Sequence, residues 1–388
     1  MAHAYGIDEG TEKLRAAAAT IATEVLAKHA ADVDTRARFP EEGMAALAKE
    51  GFYGLCLPAS AGGKGAAPRA FAAVVEELAT ACPSTAMIYV MHVTAAQAIA
   101  ASTTVGDKAS LLAAMAQGKH LTTLAFSEKG SRSQFWAPVS RLEEKGDDFV
   151  TNGFKSWVTS ASHADSYVSS AQKPGAASPL ESTIYLARKG SPGLRIAGGF
   201  DGLGLRGNDS SPVSLEDLVV KRSDLLSGLG AGAPMMLEIV LPWFSVGTSA
   251  MANGICRAAV AATAGHLAGT SFEHTSSALR DLPSLRMRLA TMSVRTEQSR
   301  ALLGYTVGEM EAPNAMTPLF VLQSRLAALE AAVDVTDLAM KACGGAAFSK
   351  HLGIERMFRD ARAGWVMAPT VDHLTDFVGK ALTGLPLF

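Results

Sequence analysis

Four cysteines in 388 residues, at positions 56, 82, 256 and 343, form no C-x-x-C pair and have no histidine at ligand spacing. A zinc site and a disulfide framework are therefore not expected, and no metal is assigned. An excess of one charge is lacking too: 35 Lys and Arg against 37 Asp and Glu leave a formal charge of −2. Such a balance offers no face to a polyanion, so nucleic acid is not an expected partner. The N-terminus, M-A-H-A-Y-G-I-D-E-G, has neither the basic nor the apolar region of a signal peptide. No charge-free run reads as long enough to span a bilayer. A cytoplasmic location with no membrane partner is the expectation.

What is present is alanine, and length. A chain of 40.3 kDa can bury a large core in two or three units, and 48% hydrophobic residues with long Ala-rich stretches favour helix. Over residues 1–120, apolar residues recur at three- and four-residue intervals, which predicts a helical domain. Over 121–230 the period changes to alternation. D-F-V-T-N-G-F-K-S-W-V-T, S-Y-V-S-S-A, S-T-I-Y-L-A and S-P-V-S-L-E-D-L-V-V read as strands of a compact antiparallel β-domain. Over 231–388 long helices return, roughly 236–269, 279–311, 317–342 and 371–382, with Thr317-Pro318 as N-cap and first position of the third. Helices, a small sheet and a four-helix bundle make an α+β fold that is mainly helical.

From Phe126 the chain reads F-S-E-K-G-S-R-S, and after a strand pattern N-G-F-K-S-W-V-T, ending at Thr159. Small residues, hydroxyls and free backbone N–H groups let main chain approach a flat heteroaromatic ring and a phosphate. Gly/Ser loops beside strands are also ordinary turns, so on these residues alone both readings stand. Asn152-Gly153 is a strong hairpin signal and is expected to form the turn that aims Trp157 and Thr159.

The order S-E-x-G-x-x-S, then N-G-x-K-x-W-V-T, then Ala164-Asp165, resembles the flavin-contacting segment of the acyl-CoA dehydrogenase family. The likeness continues in G-F-Y-G-L-C-L-P-A-S-A-G-G-K-G, A-C-G-G-A-A-F, E-R-M-F-R-D-A-R and the tail T-V-D-H-L-T-D-F-V-G-K-A-L-T-G-L-P-L-F, so it spans nearly the whole chain. It implies FAD as cofactor. By that likeness Phe126, Ser127 and Ser133 meet the isoalloxazine edge and the ribityl or phosphate region, while Trp157 and Thr159 cover the other face and the N5 edge. Lys341, Gly344 and Gly345 would reach the FAD of a neighbouring subunit, and Thr370 and Asp372 would lie beside the flavin. A homodimer or homotetramer joined through the third-domain helices is implied. Taken alone, Gly344-Gly345 reads equally as a helix C-cap, and Arg359, Asp360 and Arg362 as a structural ion network. The family's R-x-x-F-G has no direct match: Phe272 stands near the arginine position and Arg280 eight residues later.

Desaturating an acyl thioester needs a base for the α-proton and a flavin to accept hydride, both in one dry pocket. The family's base is commonly the glutamate of a short E-G-T segment; here that segment is Ala368-Pro369-Thr370. Other members place a carboxylate where this chain has Pro242-Trp243-Phe244-Ser245. The nearest ionisable residues are Glu238, which reads as a solvated helix residue, Asp372, which reads as a first-turn acid, and His373, a surface or cap histidine. Three readings follow. One is an FAD-dependent acyl thioester dehydrogenase with a relocated or absent base, its acyl group on CoA or a carrier protein and its electrons passing to an electron-transfer flavoprotein. Another is a flavin monooxygenase acting on a different small molecule, for which Ala368 is no obstacle. The third is a catalytically silent FAD-binding partner. Arg132, Lys155 and Arg206 are the dispersed candidates for a CoA-phosphate patch.

Overall fold

The computed structural model describes residues 3–387; Met1, Ala2 and the last residue of the tail motif, Phe388, lie outside that range. Six helices come first: α1 (Glu9–Ile21), α2 (Ala27–Arg36), α3 (Glu41–Lys49), α4 (Pro68–Ala81), α5 (Pro83–Ala101) and α6 (Lys108–Ala116). Local chemistry sets their starts. The Asp8 side chain accepts from the Thr11 N–H at 2.7 Å to cap α1. Pro68 and Pro83 open α4 and α5, where a missing N–H costs nothing.

Seven strands follow: β1 (Thr122–Ala125), β2 (Arg141–Lys145), β3 (Asp148–Val158), β4 (Ser166–Gln172), β5 (Ser182–Arg188), β6 (Leu194–Ile196) and β7 (Ser211–Val220). The four strands read from alternation are present. β1 and β6 are short and were not signalled. Pairing is antiparallel except for the β1–β4 ladder and one β2–β4 pair, which are parallel. The expected hairpin turn at Asn152-Gly153 is corrected. The β2–β3 turn is Gly146-Asp147, with Gly146 at φ 63°, whereas Asn152 and Gly153 lie inside β3 at a bulge opposite β7. There the Asn152 amide bonds Asp217 in both directions, at 3.1 and 2.8 Å. Asn-Gly supplies the backbone freedom that a bulge also needs, and that is what it does in this strand.

The C-terminal region holds α7 (Leu241–Gly269), preceded by a wider-wound turn over Met235–Val240, then α8 (Pro283–Glu311), α9 (Thr317–Cys343), the single turn α10 (Gly345–Phe348), α11 (Ile354–Val366) and α12 (Val371–Thr383). Thr317 is the first residue of α9 rather than its cap, and Met316 holds the cap position. The helices over Pro83–Ala101 and Met235–Gly269 are, by length and composition, long and apolar enough to cross a membrane, which corrects the expectation that no run is. Both are mostly buried inside the fold, and their apolarity is that of core helices. α7 approaches its neighbours closely through glycine. A Cβ on Gly247 would meet Val90 at 2.7 Å, and one on Gly254 would meet the Glu76 carbonyl at 2.4 Å. One hydrophobic core thus runs through both helical regions, and a smaller one fills the sheet around Phe149, Tyr167 and Tyr185.

A buried histidine joins the first region to the sheet. His92 of α5 accepts the Thr122 N–H on Nδ1 at 3.1 Å, and its Nε2 faces the Tyr53 carbonyl at 3.1 Å. The acceptor role of Nδ1 fixes the neutral tautomer with the proton on Nε2. Burial pushes its pKa down to about 4.

Candidate active site

The segment Phe126–Thr159 forms one wall of a cavity of about 840 Å³ at the junction of sheet and bundle, a size suited to a ring system with a short chain beside it. Its loop is closed by one carboxylate. Glu128 accepts from the Val139 and Ser140 N–H groups at 2.6 and 2.8 Å, from the Ser140 hydroxyl, and from the Lys155 ammonium. Lys155 also donates to the Ser170 carbonyl at 2.6 Å, and both side chains are buried. Burial alone would raise the Glu128 carboxyl, but the Lys155 charge and the bonds from Lys155 and Ser140 hold it below its ordinary value. Burial lowers the Lys155 ammonium against the pull of Glu128. The loop so pinned turns through positive φ at Gly130, Arg132 and Ser133. That carries Ser133 back to the cavity while Ser127 stays paired to Ser156 through its carbonyl, at 2.8 Å.

β3 delivers the other half of this wall. A second bulge between Lys155 and Val158 puts Trp157 at φ 56°, leaves the residue 69% exposed and returns Val158 to the core. Bulges re-aim side chains in this way. Trp157 meets Phe200 edge-on at 6.5 Å. Thr159 is buried with its hydroxyl 3.1 Å from that of Ser210. Phe126, Ser127, Ser133, Trp157 and Thr159 therefore line one cavity. The loop's left-handed turns, its hydroxyls and the upright indole fit a flat ring with a polar edge.

The facing wall is apolar: Val240, Leu241 and Phe244 from the start of the bundle, Met87 and Met91 from α5, and Trp365 to Ala368 at the end of α11. Ala368 lines the cavity. Glu128 is the one acidic residue lining the cavity among the described residues, and it is committed to Lys155. Glu238 is exposed on the turn before α7, and Asp372 is exposed in the first turn of α12; neither lines the cavity. Thr370 caps α12, with His373 Nδ1 at 3.3 Å, and also stands outside it.

Arg359 and Arg362 line the cavity while being ion-paired, Arg359 to Asp34 at 2.6 Å and to Glu355 at 2.8 Å, Arg362 to Asp337. Asp360 is buried and accepts the Leu205 N–H at 2.6 Å, which ties the rim to α11. Burial raises its pKa to about 6. Here the close approach needs glycine, since a Cβ on Gly204 would meet the Arg359 carbonyl at 2.4 Å. Of the dispersed basic residues, Lys155 is withdrawn into the Glu128 pair, Arg206 is paired to Asp201 at 3.0 Å, and Arg132 is exposed at the cavity's edge. Lys341, Gly344 and Gly345 are exposed and not brought to this cavity. Gly344 is the C-cap of α9, its N–H on the Met340 carbonyl at 2.9 Å. Arg280 is exposed in the turn before α8.

Sequence reasoning missed the Glu128–Lys155 clamp. The signal was there: with Phe149 and Thr151 facing inward, plain alternation puts Lys155 on the same buried side of β3. An inward lysine requires a carboxylate partner.

Three consecutive matches cover most of the chain: the N-terminal, middle and C-terminal domains of acyl-CoA dehydrogenase, over residues 8–119, 123–218 and 230–382. The chain belongs to the acyl-CoA dehydrogenase family, whose members are FAD-dependent oxidoreductases. Among curated relatives it is similar to a probable acyl-CoA dehydrogenase, fadE25, of Mycobacterium leprae, 26% identical with 92% of this chain and 91% of the relative covered. Among solved structures it is similar to butyryl-CoA dehydrogenase from Megasphaera elsdenii, with TM-score 0.92 and 21% identity over 97% of this chain and 99% of that one. It is also similar to the prolyl acyl carrier protein oxidase AnaB, with TM-score 0.88 and 21% identity over 97% and 99%.

Proposed function

We propose that this protein oxidises an acyl thioester by α,β-desaturation, with no side-chain carboxylate at the usual place to take the α-proton. The observation that carries the reading is the cavity itself: the wall suited to a flavin faces Ala368, and the single lining carboxylate is locked to Lys155. Bound FAD supplies the hydride acceptor. Ser127, Ser133 and Thr159 present hydroxyls to its polar edge, Trp157 covers a face, and the wall of Met87, Met91, Leu241 and Phe244 keeps water from the acyl chain. A relocated base takes the α-proton, or the substrate's α-carbon is acidic enough to need little help. Lys341, Gly344 and Gly345, exposed on this chain, serve the FAD of a neighbouring subunit in a homodimer or homotetramer. Thr370 and Asp372, which do not line this cavity, are assigned to flavin contact on the likeness alone. The acyl carrier is CoA or a carrier protein, the latter in parallel with AnaB, and an electron-transfer flavoprotein takes the electrons.

The same Ala368 favours a second reading, oxygenation through reduced flavin, because that chemistry needs no α-proton base. Mixing the FAD-loaded protein anaerobically with a panel of acyl thioesters separates the two. Bleaching of the flavin supports desaturation. Absence of bleaching, with a long-lived hydroperoxyflavin spectrum when the chemically reduced protein meets oxygen, replaces it with the second reading.

A further inference from the structure

Buried charges in this fold come with partners. Glu76 is held by Arg257 and Arg300 at 2.8 and 3.0 Å, Lys155 by Glu128, and Asp360 by the Leu205 N–H. Arg325 of α9 is the exception. It is 0% exposed, yet it forms no ion pair among the described residues, and its Nε and Nη1 have no acceptor. Nη2 donates to the Met367 carbonyl at 3.1 Å, and the guanidinium lies over the Phe244 ring, 4.7 Å from its centre. The Met367 bond caps the C-terminal end of α11 and the ring takes one face. Two nitrogens remain, and a buried guanidinium left so is among the costliest features a core can keep.

Its two neighbours locate it. Phe244 and Met367 both line the cavity, so Arg325 stands one layer behind the wall, next to Ala368. Phe244 and Ala368 occupy the two stretches in which a base carboxylate was sought, and neither carries a charge. No resident anion at that end competes for the guanidinium or repels an incoming one.

We propose that Arg325 reads a negative charge on the substrate: the inner end of the cavity takes an acyl group that itself ends in a carboxylate, reached when the Phe244 ring turns aside. The inference rests on reading the cavity as the acyl site. Burial brings the Arg325 pKa down to about 9, so it is charged at neutral pH. Guanidinium bonds to carboxylate are of the stronger, charge-assisted kind.

The test titrates the FAD-loaded protein with succinate, glutarate and adipate, and separately with their dimethyl esters, following flavin absorption and the thermal midpoint. The expected result is saturable binding of at least one diacid, about tenfold or more tighter than its ester, equivalent to about 1.4 kcal/mol. Arg325→Met removes that preference, Arg325→Lys keeps part of it, and Phe244→Leu, which uncovers the guanidinium, preserves or strengthens it. Should Arg325→Met fail to fold, the lysine and leucine variants decide. Equal binding of diacid and ester by the wild type, or a preference unchanged in the Arg325 variants while the midpoint falls, overturns the proposal and leaves Arg325 a helix-end cap. A diacid preference without bleaching by any thioester sinks the desaturation reading alone. Bleaching without a diacid preference sinks this one alone.

Discussion

The two walls of the cavity are built on opposite principles. The sheet wall is polar and tightly specified: a carboxylate with four donors closes its loop, and a bulge sets the angle of Trp157. The bundle wall is mainly apolar, includes Ala368 and hides a cation behind Phe244. The difference teaches that holding a cofactor and directing its chemistry are separable properties of one fold.

The largest effect expected is on the sheet wall. Glu128→Ala leaves the Lys155 ammonium buried and unpaired, at a cost of about 3–5 kcal/mol, and frees the loop that carries Ser133. Chemical denaturation together with flavin content after gel filtration checks this. Unchanged stability would break the claim that this pair specifies the wall.

Next comes the histidine that anchors β1. The His92 pKa falls from 6.5 to about 4 on folding, so the unfolded chain binds the proton more tightly. The stability contributed by neutral His92 is complete above about pH 6.5 and is lost as pH falls through about 4, a change of about 3 kcal/mol. Denaturation midpoints measured across that window should follow this slope, and His92→Gln should flatten it.

The bundle wall gives the smallest stability change and a change in rate. Ala368→Glu introduces a carboxylate into the cavity and should raise the rate of flavin bleaching by a suitable thioester about a hundredfold. An unaltered rate would show that proton removal does not limit this enzyme and would sharpen the case for oxygenation.

Much of this was legible in the sequence because periodicity and punctuation are local. The long helices and the strands at β3, β4, β5 and β7 announce themselves in apolar spacing, and the Phe126–Thr159 residues do meet at one cavity. What was not legible depends on partners distant in the chain. Asn152-Gly153 looked like a turn because the bulge opposite β7 is invisible until β7 is placed. Two short strands, β1 and β6, carry too few residues to show a period. Glu128 and Lys155 lie 27 residues apart, and Arg325 becomes conspicuous only once its buried guanidinium is seen to have two nitrogens without an acceptor.

The Glu128–Lys155 pair has one more consequence. Mobile ions screen charges they can approach, over a Debye length of about 8 Å at physiological salt, but this pair is sealed at 0% and 2% side-chain exposure. Exposed contacts such as Lys13–Glu9 and Lys28–Glu24 weaken as salt is added, while the loop over the cofactor keeps its shape. The surface of this protein responds to ionic strength, and its flavin cradle is insulated from it.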